Sequence, residues 1–166
     1  MPTDLLSLLQ RDHIDLQNEL TRLLNPDATV SQLRSSIDEV RLGLTAHAEA
    51  EDIVLGRFAG IAALEMVVAQ ARAAHLSQED ALSALVSARV GTTAWRDRAT
   101  RLRELVQYHA VQEEHSLLPA LRLHLPRAYA SLAGEFATER LRQLAMLQPS
   151  APIYITDLAK AEMQFS

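Results

Sequence analysis

The amino-acid sequence predicts an all-α protein: an up-down-up-down four-helix bundle with one additional C-terminal helix. Three observations predict it. Apolar residues recur in four successive segments at steps alternating three and four, the period of a helix that buries one seam in a bundle. The breaks between those segments, at Asn25-Pro26, Gly60 and Gly91, leave connections short enough to force neighbouring helices antiparallel. Polar residues that interrupt the seams repeat at a constant offset, since 75 − 13, 109 − 47 and 113 − 51 all equal 62. The chain therefore reads as two helical hairpins. Each supplies a histidine from its first helix and a His-x-x-x-Glu pair from its second.

The first helix is expected from about Asp4 to Leu24, capped by Thr3 and stopped by Asn25-Pro26, with the seam Leu9, His13, Leu16, Leu20, Leu23. Ser31 or Thr29 can cap the second, which runs to about Phe58 before Gly60; its seam is Leu33, Ile37, Val40, Leu44, His47, Glu51, Val54, Phe58. The third spans roughly Ile61 to Val90, with Leu64, Val68, Ala71, His75, Gln78, Leu82 and Leu85 in line, and Gly91 ends it. Thr92 or Thr93 caps the fourth, expected to reach Leu125 before Pro126. Its seam is Trp95, Ala99, Leu102, Val106, His109, Glu113. Counted from the turns, His47, His75 and His109 reach similar heights in the bundle.

A fifth amphipathic helix, about Arg127 to Leu147, should dock through Leu132, Phe136, Leu144 and Leu147. Pro149 and Pro152 then break the chain. The remaining tail has a β-branched start and room for one short helix capped by Thr156, and it reads as a docking segment. The expected organisation is a bundle over residues 1–125, with a helix and tail over 126–166 packed on it.

Composition narrows the function. The 166 residues suit one domain with a real core, and 48% are apolar. A net charge of −5 with no basic face argues against nucleic acid. The absence of cysteine removes disulfides, thiolate zinc sites and cysteine catalysis together. No stretch approaches 18 uncharged apolar residues, and the first residues lack the basic and apolar regions of a signal peptide. A soluble, cytoplasmic protein without a membrane partner is the expectation.

A single histidine on an apolar seam is generally a core residue with a satisfied hydrogen bond, and a single His-x-x-x-Glu is generally surface pairing. The joint pattern is different. His13, His47, His75 and His109 all fall in seams, with Glu51 and Glu113 one turn beyond equivalent histidines. A carboxylate in a bundle core is costly unless it is paired, protonated or bound to metal. Four imidazoles and two carboxylates at one depth make a site for one or two divalent ions, and nitrogen–oxygen ligation without sulfur suits Fe, Mn or Zn.

The elements LLQRDHIDLQNELTRLL, HAEAEDIVL, AAHLSQEDALSAL and YHAVQEEHSLLPAL resemble the hemerythrin family, specifically the bacterial HHE cation-binding domains, over roughly residues 4 to 125. The resemblance implies a four-helix bundle enclosing a non-haem di-iron centre. It also implies His13, His47, Glu51, His75, His109 and Glu113 as ligands, with Glu51 and Glu113 as bridges. Two departures stand out. Oxygen-carrying members have a further histidine one turn after the third-helix histidine, where this chain has Glu79. They also place an aspartate five residues after the last ligand histidine, where this chain has Glu114. The first departure argues against simple reversible oxygen carriage. Glu79 is a seventh ligand or an ordinary charge beside the seam, and its position favours the latter. Glu114 is expected to face outward or to support a ligand, His115 to lie at the surface, and His124 to be too distant to join the site.

The leading expectation is thus a di-iron protein that handles or senses O2, NO or peroxide. The alternative is a metal-stapled or metal-free helical module for interaction or iron storage, without redox turnover. A protein partner or second copy could then bind through the C-terminal tail.

Overall fold

The computed structural model describes residues 3–148, all of whose regular structure is helical. Helix α1 spans Leu5–Leu23, α2 Val30–Gly56, α3 Glu65–Val86 and α4 Thr93–Gln112. A π-helical turn, Glu113–Leu117, joins α4 to α5, Leu118–His124, and α6 follows at Pro126–Leu147. α1 packs against α2 and α4, and α3 against α4 and α2, so the four long helices close an antiparallel ring. α6 lies along the outside, mainly against α2 and also against α1. No described helix is long and apolar enough to cross a membrane. The expectations for the C-terminal tail fall on residues 149–166, outside the described residues.

The helix ends follow local chemistry, with small departures from the sequence reading. Asp4, not Thr3, caps α1: its carboxylate accepts the Ser7 N–H at 3.0 Å, and a carboxylate also suits the positive end of the helix dipole. Thr29 closes a reciprocal capping box with Gln32. Thr92 caps α4 through the Trp95 N–H. α3 begins at Glu65 rather than Ile61, because the chain turns through Phe58 and Leu64 before entering it. It ends at Val86, and Gly91 supplies the positive φ of 80° for the turn that follows.

The fourth rod departs most from expectation. It reaches His124, but not as one α-helix: the Leu118 N–H bonds to the Glu113 carbonyl, five residues back. Pro119 explains the wider turn. It has no N–H to donate, and its ring crowds the carbonyl four residues earlier, so the rod widens by one residue instead of breaking.

Two apolar cores fill the bundle. One gathers Leu5, Leu9, Val54, Phe58, Leu64, Leu117, Leu121, Leu132 and Phe136; the other gathers Leu16, Leu20, Leu23, Ile37, Val40, Leu85, Trp95 and Leu102. The histidines and glutamates that interrupt the seams lie between them, so the polar layer divides the core. Of the contacts expected for α6, Leu132 and Phe136 are buried, whereas Leu144 is half-buried and Leu147 exposed. Glu139 and Gln143 occupy the buried face in their place and bond to each other at 3.0 Å.

Candidate metal centre

Each of the four bundle helices delivers one histidine to the polar layer, and α2 and the α4–π junction each add a glutamate. The structure brings all six together. They form two clusters, His13–His47–Glu113 and Glu51–His75–His109, and within each the candidate ligand atoms lie within 4.8 Å of one another. All six side chains are buried, at 1–5% exposure. The clusters are joined through the carboxylates. Glu113 Oε2 lies 3.3 Å from His13 Nε2 and 3.2 Å from His109 Nε2. Glu51 Oε2 lies 3.4 Å from His47 Nε2 and 3.7 Å from His75 Nε2. Each carboxylate therefore faces histidines of both clusters.

The inward atoms have no hydrogen-bond partners: Nε2 of all four histidines and both oxygens of Glu51 and Glu113 are buried and unpaired. The outward nitrogens are mostly held. His47 Nδ1 meets Asp12 Oδ2 at 3.1 Å, His75 Nδ1 meets Asp52 Oδ1 at 2.8 Å, and His13 Nδ1 meets Glu114 Oε1 at 3.4 Å. Asp12 is in turn anchored from α6, where Arg140 Nε donates to its Oδ2 at 2.8 Å. Phe136, also on α6, packs edge-on to the His47 ring at 5.6 Å. Carboxylates behind imidazoles fix the ring orientation and leave Nε2 free to bind inward.

The 62-residue repeat extends to this outer layer. Asp52 and Glu114 are also 62 apart, and each backs the histidine of the opposite hairpin's first helix. Within this outer layer the repeat fails once. Asp12 maps onto Ala74 (12 + 62), so His109 has no carboxylate behind it and its Nδ1 is unpaired.

Electrostatics follow the same asymmetry. Burial disfavours a charged His47, but the Asp12 hydrogen bond and the close carboxylate of Glu51, with the charge of Glu113, outweigh it and push its pKa to about 10. His75 is also raised, with Asp52 and Glu51 overcoming burial. Burial dominates at His109, which lacks a backing carboxylate and falls to about 4. Burial would raise Glu51, yet the surrounding histidines hold it well below the usual carboxylate range. Burial and the neighbouring Glu51 charge push Glu113 up to about 7.

This chemistry fits a metal. Eight inward nitrogen and oxygen atoms, buried and unpaired, are what cations of nitrogen–oxygen preference would satisfy, and their absence from water otherwise costs stability. The sequence pattern of the hemerythrin HHE cation binding domain matches residues 4–133. The chain belongs to this family. No curated protein and no solved structure matches it. The HHE match covers the four-helix bundle and α5 and ends at Ala133 within α6, so Arg140 lies beyond the family pattern.

Among the remaining sequence readings, Glu79 is exposed and stands outside both clusters. Glu114 supports His13 rather than joining a cluster, and His115 is exposed. Sequence reasoning missed Asp12, Asp52 and Arg140. The repeat offers a signal for Asp52, which pairs with Glu114, whereas Asp12 and Arg140 lie off every seam and carried none.

Proposed function

We propose that His13, His47, Glu51, His75, His109 and Glu113 hold two iron ions, with Glu51 and Glu113 bridging, and that the centre reacts with or senses O2, NO or peroxide. The observation that carries this reading is the pair of buried two-histidine, one-glutamate clusters whose carboxylates each reach into the other. Two ions satisfy that arrangement better than one, because one ion would leave half of the inward atoms unpaired. Manganese or zinc suits the same donors. Bound iron would supply one-electron chemistry toward a small oxygen- or nitrogen-containing ligand.

The protein's own residues do the rest. Asp12, Asp52 and Glu114 hold three of the rings with Nε2 facing inward. The two apolar cores above and below keep bulk water from the polar layer. Glu79, an exposed carboxylate where oxygen carriers have a fifth histidine, leaves four imidazoles against two carboxylates. Anionic oxygen donors favour the ferric state, so turnover or sensing fits better than reversible carriage. A cytoplasmic location is consistent with a chain without cysteine.

Elemental analysis of protein purified after iron-supplemented expression, with a visible and near-ultraviolet spectrum, tests the reading. About two iron ions per chain with ferric near-ultraviolet absorption is the expected result. No transition metal, even after anaerobic reconstitution with ferrous iron, would overturn it.

A further inference from the structure

The repeat that relates the hairpins fails at a second buried position. An offset of 62 maps His13, Leu16, Leu20 and Leu23 of α1 onto His75, Gln78, Leu82 and Leu85 of α3, so Gln78 stands where α1 has Leu16. Gln78 is 2% exposed, and its Nε2 has no hydrogen-bond partner. A buried unpaired amide is destabilising unless a ligand completes it. Gln78 also lines a cleft of about 380 Å3 between α2 and α3, whose wall includes Asp52 and His75, and its amide is buried at the foot of that wall. The cleft therefore runs from solvent to the outer side of the Glu51–His75–His109 cluster. A second cavity, between α3 and the π turn and against His109 and Glu113, is about 10 Å3, room for about one water. A third cleft, of about 280 Å3, reaches Asp12 behind His47, but no residue with an unpaired buried side-chain atom lines it.

The charges on the cleft are unbalanced. Glu49, Asp52 and Glu79 line it against one cation, Arg72. Such a lining repels small anions and is indifferent to neutral molecules of the same size. Gln78 then offers an N–H beyond that screen. We propose that this cleft is the access route and binding subsite for a small neutral hydrogen-bond acceptor, of the class of nitric oxide, dioxygen or hydrogen peroxide. Gln78 is a specificity-determining residue that donates to it, and Glu49 and Glu79 select against anions. This inference rests on the reading that the centre holds iron.

Stopped-flow spectroscopy of iron-loaded protein tests it, with nitric oxide as the neutral probe and azide as the anionic one. Azide association should quicken with ionic strength, and about threefold in Glu49→Gln/Glu79→Gln at low salt, as repulsion is screened or removed. Nitric oxide association should respond to neither. Gln78→Leu places the residue of α1 in α3 and should keep iron content and melting temperature, yet release nitric oxide about fivefold faster. Gln78→Asn, which retains an amide, should fall between. Azide rates unmoved by both salt and charge removal, or nitric oxide release unchanged in Gln78→Leu, would overturn the proposal while leaving the iron reading intact. A protein that binds no iron would overturn both.

Discussion

His47 shows how single residues set the behaviour of the centre. It is gripped on one side by Asp12 and faced on the other by Glu51, and those two contacts lift its pKa to about 10. The sign of the consequence follows. With 6.5 in the unfolded chain and about 10 in the fold, His47 stabilises metal-free protein below about pH 6.5, and that contribution drains away up to about pH 10. Urea melts of metal-free protein should therefore show stability falling from pH 7 to 10, and Asp12→Asn should flatten the slope. Metal competes for the same nitrogen, so raising the pH strips the proton and tightens binding. Asp12 itself depends on Arg140. Arg140→Ala should weaken iron affinity about tenfold in a chelator competition, as loss of an outer support commonly does. Arg142→Ala, whose largely exposed side chain pairs with Glu139, should leave affinity unchanged. Glu113→Ala should remove or halve the bound iron, Glu114→Ala should weaken its affinity while keeping both ions at saturating iron, and Glu79→Ala should leave it nearly unchanged.

At the scale of elements, the four seams were legible because a bundle helix buries a fixed stripe. Every seam residue named from the sequence is buried except Leu82, which is half-buried. The six candidate ligands were legible for the same reason, being polar residues in an apolar period. What escaped the reading lies off the stripes. Asp12 and Asp52 sit beside seam residues, where a carboxylate ordinarily reads as a solvated charge. Arg140 gains meaning only when α6 folds back on α1. The π turn escaped for a different reason. The seam from Trp95 to Glu113 keeps a regular period, and Pro119, which enforces the wider turn, lies beyond its last residue although inside the expected helix. α6 itself was legible as amphipathic, but not as a support of the centre. Its Phe136 is 2% exposed and packs on the His47 ring. Phe136→Ala should cost about 3–5 kcal/mol in urea unfolding by opening a cavity there, and should also loosen iron.

For the whole molecule, the defining feature is a polar layer that divides the hydrophobic core in two. Each apolar cluster can hold its end of the bundle, but the layer between them contains buried carboxylates that metal-free protein can satisfy only with protons from the histidines. Metal should thus act as the keystone. Chelation should lower the melting temperature, and the gap between loaded and metal-free protein should widen from pH 6 to 9 as protons leave His47. The central claim is that six residues, two carboxylates among them, hold two ions. A crystal of iron-loaded protein, with an anomalous difference map at the iron edge, tests it most directly. Two peaks are expected, one among His13, His47 and Glu113 and one among Glu51, His75 and His109. A single peak, or iron bound away from these residues at exposed carboxylates such as Glu79, would contradict it.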